Sequence, residues 1–425
     1  MTRVRVAVLL LTAAAGAAAA VRGGRAAEGE RLRAAVRAQM AIAARRDADM
    51  AFYARRLAAD PIGAADRSRL AALYLQRARE TGDFTDYRRA ESLARRSLAL
   101  RVAHNDNTYV VLASALLAEH RFTEARAAAR ALNAHDPRVP GHQALLAEID
   151  LELGDYAAAR ALFDSLWPAR HELSIAPRLA RWAEITGRTE LAQRLLEQAL
   201  ADARARRDLP PEQLAWFELR VGDLALRNGR LAEADYAFQT GLSLFPGDYR
   251  LLAGLARLEA ARGRWRQAIA HGEDAIAAVP DPATFGLISD AYAHLGDTTR
   301  AAEYARAMEV AVLGQPAQWH RAWSLFLLDH DRCVPDVLAK VDEELKTRRD
   351  VYGYDLRAWA LHKQHRDREA RAAMVQALAQ GTADPQLLYH AGVIAQALGD
   401  SAAGRMYMER ARGVNPYFRP SGEAR

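Results

Sequence analysis

The sequence predicts an all-α protein made of repeated helix hairpins, and three observations lead to this fold class. The 51% hydrophobic content is mostly Ala and Leu, which are good helix formers, while runs of β-branched residues are scarce. Gly-containing turns recur every 33 or 34 residues at Gly229, Gly263 and Gly296. Small side chains recur in step with these turns. Since 425 residues exceed one ordinary globular core, the repeat favours one extended array over several unrelated domains.

The first twenty residues differ in character from the rest of the chain. Arg3 and Arg5 give a basic start, residues 6–20 are apolar and uncharged, and small residues precede position 21. The apolar run is shorter than the roughly 20 residues that span a bilayer as a helix. We therefore expect a cleaved signal peptide over residues 1–20, an exported protein in the periplasm or outside the cell, and no transmembrane span in the mature chain. An uncleaved anchor is the alternative.

Residues 21–63 read as a polar join followed by a degenerate pair of N-terminal cap helices. Leu32, Val36 and Met40 are four residues apart, and a second helical run ends at Asp60-Pro61. Terminal units of helical arrays are commonly atypical, so a cap is the natural interpretation.

The regular repeat runs from residue 64 to residue 418. Two intervals between its turns are longer than the others, and the longer of these contains the segment from Arg204 to Pro211. We expect a boundary there between an N-terminal array, 64–206, and a C-terminal array, 207–418, followed by a polar tail, 419–425. The expected turn positions are Gly82, His120, Gly154, Gly187, Gly229, Gly263, Gly296, His330, His365 and Gly399.

Three columns of residues keep register with these turns, which is a stronger signal than the period alone. Small side chains at paired positions allow two helices to approach within about 8 to 10 Å, and Pro closes a helix. Five residues after the turns stand Ala125, Ala159, Ala192, Ala234, Ala268, Ala301, Ala370 and Gly404. Seven residues before them stand Ala113, Ala147, Ala180, Gly222, Ala256, Ser289, Ala358 and Gly392. Seventeen residues after them stand Pro137, Pro246, Pro280 and Pro416.

This pattern resembles the tetratricopeptide repeat, whose units are helix hairpins of about 34 residues. The resemblance covers residues 64–418 and implies an α-solenoid of about ten hairpins that binds proteins or peptides on its concave face. It departs from the family pattern in the unit around His330. There Trp323 stands where a small residue belongs, and Pro335 stands where Ala belongs.

Charge and motifs argue against several other classes of protein. The chain has 59 Lys and Arg against 53 Asp and Glu, and its many arginines are interleaved with acids. That distribution is typical of solvated helix faces rather than of phosphate or nucleic-acid recognition. Phosphate-loop, dinucleotide-binding, HExxH, CxxC and GxSxG motifs are absent from the sequence. We expect no cofactor, no catalytic residue and no nucleic-acid partner.

Two weaker constellations leave a metal-handling or enzymatic protein as the alternative. Asp329 and His330, with Cys333 nearby, are metal-ligand types, and His362 and His365 share one helix face. Polar residues are also ordinary at hairpin turns, and a third ligand at suitable spacing is not visible. The expectation is therefore that no metal binds.

The resemblance implies that the first helix of each hairpin lines the concave groove. At one groove position the side chains alternate in charge over Arg181, Asp223, Arg257 and Asp290. A ladder of salt bridges between neighbouring helices would explain this alternation. A charged recognition strip for a peptide would explain it equally, and the two interpretations are compatible.

Toward the C-terminus the same groove positions become aromatic and polar. Aromatic side chains are favoured binding anchors, so we expect a partner segment to bind there, although burial between repeats is the alternative for about half of them. The candidate residues are His320, Tyr352, Asp355, Trp359, His362, Tyr389 and Gln396.

These observations together predict a non-catalytic protein-binding or peptide-binding scaffold in the bacterial cell envelope. A structural spacer that touches the membrane, or an enzyme built on the same repeats, would also fit the pattern. The sequence does not identify the partner.

Overall fold

The computed structural model describes residues 30, 33–313 and 321–420. The signal-peptide prediction and the candidate groove residue His320 therefore lie outside the described residues. Within them the chain forms 21 α-helices and one short 3₁₀ helix, and it has no β-strand. None of these helices is both long enough and apolar enough to cross a bilayer.

The helices are α1 (33–59), α2 (Ala64–Thr81), α3 (Phe84–Leu100), α4 (Asp106–Ala118), α5 (Phe122–His135), α6 (Pro140–Leu153), α7 (Tyr156–Ser165), α8 (Ala176–Ile185), α9 (Thr189–Ala205), α10 (Pro211–Arg227), α11 (Leu231–Leu244), α12 (Tyr249–Ala261), α13 (Trp265–Ala278), α14 (Pro282–His294), α15 (Thr298–Leu313), α16 (Arg321–Asp329), α17 (Val334–Glu344), α18 (Val351–Lys363), α19 (Asp367–Ala377), α20 (Pro385–Ala397) and α21 (Ser401–Val414). The 3₁₀ helix is Trp167–Ala169.

The N-terminal cap is one continuous helix, α1, where the sequence predicted a pair of helices. Neither Gly nor Pro interrupts residues 33–59, so nothing in the backbone forces a break. The Asp60-Pro61 step ends the helix, as expected. An ion pair between Arg46 and Glu80 fastens α1 to α2.

From α2 onward each even-numbered helix packs against the next odd-numbered one as an antiparallel hairpin, which gives ten hairpins over the described residues. The all-α solenoid predicted from the sequence is confirmed. The proline column also has its expected place, because Pro137, Pro246, Pro280 and Pro416 each lie two residues beyond the end of a second helix.

Each hairpin turn is held by a defined set of backbone hydrogen bonds. At Gly229, for example, the Gly229 N–H bonds the carbonyl of Leu226 at 3.1 Å, and the Arg230 N–H bonds that of Ala225 at 2.8 Å. This is the Schellman motif, in which the turn residue takes a positive φ. Gly229 has a φ of 71°, and His120 takes the same conformation at 57°. The turn chemistry therefore explains the spacing of the glycines.

The small residues meet at the crossing of the two helices in each hairpin. Ala234 and Ala268 are almost completely buried at equivalent places in successive hairpins. In the next hairpin the hydroxyl of Ser289 donates to the carbonyl of Ala301 at 2.8 Å, so the two small-residue columns touch directly. The register predicted from the sequence is confirmed for these three hairpins.

The hairpin of α16 and α17 turns one residue later than the sequence predicted. The residue with positive φ is Asp331, at 52°, rather than His330. The small position seven residues earlier is then Ser324, which is fully buried, and not Trp323. A second residue with positive φ, Cys333, lengthens this turn, so that buried Val337 replaces the alanine of the other hairpins. The later turn explains the apparent departure at Trp323, and the later and longer turn together explain that at Pro335.

The first helices of the hairpins form the inner layer of the curve. Consecutive first helices contact one another, as α2 does with α4, α10 with α12, and α18 with α20. The second helices make no comparable contacts with each other within residues 64–313 and 321–420. Crowding of one layer and spreading of the other bends the stack, which places the even-numbered helices on the concave side.

Apolar packing continues across the long loop that was predicted to separate two arrays. Leu200 and Ala203 of α9 form one cluster with Phe217 of α10, and Leu209 of the loop packs against it. The division of the array at residue 206 stays a prediction.

The curve closes on itself after about 195 residues, so that successive coils of the solenoid touch. The Arg349 N–H bonds the carbonyl of Leu153 at 2.9 Å, and the Val351 N–H bonds the hydroxyl of Tyr156 at 2.8 Å. Farther along, the Thr382 hydroxyl donates to the carbonyl of Ile185 at 2.6 Å, across 197 residues. We call these contacts, together with those of Arg348 and Asn415 below, the inter-coil contact.

Two further side chains extend this contact at its ends. Arg348 donates to the carbonyl of Glu152 at 2.9 Å, across 196 residues, and pairs with the Glu152 carboxylate at 3.1 Å. The amide of Asn415 donates to the carbonyl of Leu226 at 3.1 Å, across 189 residues. Because the sequence separations stay nearly constant, each coil lies against the preceding one in a fixed register.

The inter-coil contact gives some turn glycines a second reason to be glycine. A Cβ on Gly187 would overlap the carbonyl of Gly381, and one on Gly154 would overlap the backbone of Arg349. Gly296 and Gly399 have the same positive φ, but a Cβ there would meet no atom within 4 Å. The first pair therefore needs glycine for both conformation and space, and the second pair for conformation alone.

We expect Gly187→Ala to destabilise the protein much more than Gly296→Ala, which is the matched control. Both substitutions incur about 1 kcal/mol for an alanine at positive φ. Only Gly187→Ala also forces two backbones apart, which we expect to add about 2 kcal/mol. Urea unfolding followed by circular dichroism measures the free energy of unfolding of each variant. An equal loss of this free energy in the two variants would contradict the inter-coil contact.

Candidate binding groove

A cavity of about 1080 Å³ lies on the concave side, where α6, α8 and α10 stand next to one another. Its mouth is formed by the loop that follows α7 and the loop that follows α9. Apolar and charged groups alternate on its walls, a mixture typical of surfaces that bind polypeptide. The apolar lining comes from Leu173, Pro177, Leu209, Trp216 and Phe217. The arginines that line it are Arg79, Arg178, Arg181, Arg206, Arg220 and Arg250.

A smaller cavity of about 290 Å³ lies behind the first, where the inter-coil contact meets the inner wall. We call it the junction cavity. Arg181 and Arg227 reach it from the first coil, and Arg321, Arg348 and Tyr352 reach it from the second. Because Arg181 lines both cavities, the junction cavity adjoins the large one.

A third cavity, of about 350 Å³, contains much of the charged strip predicted from the sequence. Asp223, Arg257 and Asp290 all line it, and its opposite wall is the C-terminal segment 417–420. Residues 417–420 therefore lie along the groove of the preceding coil. Residues 421–425 of the expected polar tail lie outside the described residues.

One of the salt bridges expected between neighbouring first helices along the alternating strip is present. Asp223 and Arg257 pair at 2.8 Å between neighbouring first helices. Asp290 pairs instead with His330, at 2.9 Å. Arg181 pairs with Glu184 of its own helix at 3.2 Å. The strip therefore belongs to several local networks, and its role in recognising a partner stays a prediction.

The residue that organises the charges beside the junction cavity is Glu184, which sequence reasoning missed. Its side chain is only 6% exposed, and it contacts Arg181 at 3.2 Å, Arg220 at 3.1 Å and Arg227 at 2.5 Å. Burial by itself raises the pKa of Glu184, but the three positive charges hold it below the usual value. One carboxylate thus serves three guanidinium groups drawn from α8 and α10.

Two of the candidate groove residues lie in the core between first helices. Trp359 is 6% exposed, donates its indole N–H to Asp329 at 2.8 Å, and stacks on His390 with ring centres 4.2 Å apart. Asp355 is fully buried and bonds His390 at 2.8 Å. These two side chains therefore fasten α16, α18 and α20 together and offer little surface to a partner.

The remaining aromatic candidates are partly accessible. The ring of Tyr352 lies between two guanidinium groups at the junction cavity, with Arg321 4.2 Å and Arg181 5.5 Å from its centre. Tyr389 is half-buried beside Phe418 of the C-terminal segment, with ring centres 5.9 Å apart.

The two polar candidates in this region have local partners. His362 bonds Asp367 at 2.6 Å. Gln396 is exposed, but its side chain lies against Gly404 within the last hairpin. Neither residue faces one of the three cavities described above, and their binding role stays a prediction.

The residues of the metal alternative do not converge. Asp329 accepts from Trp359, His330 pairs with Asp290, and Cys333 is exposed. His365 is an exposed turn residue with a φ of 58°. No group of three or more His, Cys, Asp or Glu side chains lies close enough to hold a metal ion within residues 33–313 and 321–420.

The fold and its inner wall define an α-solenoid protein with an enclosed groove. A sequence profile described as "Tetratricopeptide repeat" matches residues 116–181, from the end of α4 into α8. The match identifies a tetratricopeptide repeat within residues 116–181, and the same hairpin architecture recurs along the rest of the described array. No curated protein is similar enough to the chain to match it.

Several solved structures are similar to the chain at low sequence identity. The human IFIT1 dimer with PPP-AAAA is 14% identical, with a TM-score of 0.45, over 82% of this chain and 90% of that one. PilW, a type IV pilus biogenesis factor, is 17% identical with a TM-score of 0.42, over 53% and 99%. The Cut9–Hcn1 hetero-tetramer of APC/C is 13% identical with a TM-score of 0.35, over 88% and 92%.

We expect Asp329→Asn to stabilise the protein above pH 6 and to have little effect near pH 4.5. Burial raises the pKa of Asp329 to about 6, although His390, Trp359 and Lys363 oppose the shift. The folded state therefore binds more protons than the unfolded state between about pH 4 and 6, and its stability falls as the pH rises through this window. Asparagine keeps the acceptor for Trp359 without the charge.

The expected gain at pH 8 is on the order of 1 kcal/mol, measured by urea unfolding of the variant and the parent protein at both pH values. Asp331→Asn, at an exposed turn carboxylate, is the control. A gain for Asp329→Asn that was the same at pH 4.5 and pH 8 would show that the charge on this carboxylate is not the cause.

Proposed function

We propose that the protein is a non-catalytic scaffold that binds a polypeptide segment of a partner protein along its concave groove. The observation that supports this most strongly is the cavity of about 1080 Å³ between α6, α8 and α10. Its walls combine exposed parts of Trp216 and Leu209 with charged side chains that already have partners, such as Arg178 with Glu148 at 2.7 Å. A segment that covers the apolar groups and exchanges some of the ion pairs would gain area without leaving charges unpaired.

A protein or peptide is a better candidate ligand than a small metabolite or a nucleic acid. The groove continues past the junction cavity to the third cavity, so its inner wall offers contacts over several successive hairpins. Positive and negative side chains line it in similar numbers, whereas a nucleic-acid surface needs an excess of positive charge. An array of this kind supplies an extended surface and rigid spacing.

We place this scaffold in the bacterial cell envelope. The support is the N-terminal sequence, in which Arg3 and Arg5 precede an uncharged apolar run over residues 6–20. This order of features is that of a secretory signal peptide. The mature protein would then meet its partner in the periplasm or outside the cell.

The test is in-cell crosslinking followed by mass spectrometry, carried out with two matched variants. Gln213 is exposed and lines the large cavity, whereas Gln198 is exposed on the second helix α9 and lines none of the three cavities. We expect Gln213→Trp to fill the groove and reduce recovery of crosslinked partners at least about fivefold. Gln198→Trp should leave recovery unchanged.

Both variants should have the same melting temperature as the parent protein, because each substitution replaces an exposed side chain and removes no buried one. Equal partner recovery from Gln213→Trp and the parent protein would refute binding in the groove.

A further inference from the structure

The lining of the junction cavity carries four arginines and four acids, but the two signs are segregated. On one side Arg348 is surrounded by three carboxylates, with Asp350 at 2.8 Å, Glu152 at 3.1 Å and Glu344 at 3.8 Å. The fourth acid, Asp384, accepts the backbone N–H groups at the start of α20. Within the described residues none of the four acids forms an ion pair with Arg181, Arg227 or Arg321.

The opposite side holds three arginines that have too few acceptors. Arg181 and Arg227 share the single carboxylate of Glu184 with Arg220. Arg321 reaches only Asp355, at 3.4 Å, and that carboxylate already has a 2.8 Å bond to His390. Among the described residues, the buried Nε atom of Arg321 has no hydrogen-bond partner. Since each guanidinium has five N–H donors, most donors on this side are unused by side-chain carboxylates.

The shape of the cavity limits what can use these donors. A volume of about 290 Å³ accommodates one acidic side chain but no folded element. Arginine forks match the two oxygens of a carboxylate, and such charge-assisted hydrogen bonds are stronger than those between neutral groups. Through Arg181 the cavity adjoins the large one, so a peptide in the groove can direct a side chain into it.

We propose that the junction cavity is a specificity pocket for an acidic side chain of the bound peptide. Its carboxylate pairs with Arg181, Arg227 and Arg321 beside the ring of Tyr352. This inference rests on the proposed function, because it names the chemistry of the segment that the groove takes. It also gives the inter-coil contact a role, since Arg181 and Arg227 come from one coil and Arg321 from the next.

The experiment measures binding of fluorescein-labelled hexaglutamate to the full chain without its first 20 residues by fluorescence anisotropy. Hexaglutamine, with the same label, is the uncharged comparison. We expect hexaglutamate to bind at least about tenfold more tightly. Arg227→Gln and Arg321→Gln should each weaken hexaglutamate about tenfold while leaving the weak binding of hexaglutamine unchanged.

The control variant is Arg95→Gln, which removes the same charge outside the groove. Arg95 lies on the second helix α3 and pairs with Glu91 and Glu124, both at 2.7 Å. The affinity of the Arg95→Gln variant for hexaglutamate should stay within about twofold of that of the parent protein, because salt screens the field of one distant charge. Thermal melting checks each variant, and the two groove arginines are tested separately so that one misfolded variant does not decide the result.

Three results of the binding experiment would overturn the proposal. The first is equal binding of the two peptides, and the second is an equal loss for Arg95→Gln and the groove variants. The third is displacement of hexaglutamate by inorganic phosphate at an ionic strength at which sodium chloride has no effect, which would identify a site for free anions. If crosslinked partners are recovered normally from Arg227→Gln and Arg321→Gln, only this inference fails. If Gln213→Trp leaves recovery intact, the groove function fails as well.

Discussion

The hydrogen bonds between successive coils are the constraint on which the rest of the structure depends. A stack of helix hairpins has contacts mainly between neighbours in sequence, so its curvature is normally set by small side chains at each crossing. Here the backbone N–H of Arg349, the hydroxyl of Thr382 and the amide of Asn415 reach back to carbonyls almost 200 residues earlier. These bonds fix the radius of the coil and enclose part of its inner wall.

The cavities follow from this closure. The junction cavity exists because residues of two coils meet around Tyr352, and the third cavity has the C-terminal segment as its outer wall. The contact between coils also strengthens the electrostatic interactions between charges on the wall, because fewer water molecules screen them. This explains why so many arginines pair with carboxylates there, and why the four that share only Glu184 and Asp355 stand out.

The repeat itself could be predicted from the sequence because its causes are local. Helix length, the αL turn and the small residues at the crossing all act within 34 residues, so Gly229, Ala234 and Gly222 signal their structural roles directly. The hairpin of α16 and α17 departs from the expected register because its turn lies at Asp331 rather than His330, and because Cys333, with a second positive φ, is an extra residue in that turn. That insertion leaves no Gly or Pro as a marker.

The groove could be predicted only in part, because its geometry comes from rotations that accumulate over many hairpins. Arg181, Asp223, Arg257 and Asp290 do line cavities on the inner wall. Trp359 and Asp355 have the same spacing along the chain, yet the contact with His390 buries them. The ion pairs of Glu184 with arginines from two helices depend on the directions of the side chains, which the amino-acid sequence alone does not show.

Hydrogen exchange of single backbone amides tests the closed coil most directly. Arg349 lies in the loop before α18 and Val351 is the first residue of α18, and among the described residues the only acceptors of their amides lie across the coils. Gly247 lies in a loop, and its N–H has no hydrogen-bond acceptor among the described residues. The closed coil predicts that Arg349 and Val351 exchange as slowly as amides inside α18, and that Gly247 exchanges freely. Exchange of Arg349 and Val351 at the rate of Gly247 would show that the coils are apart in solution.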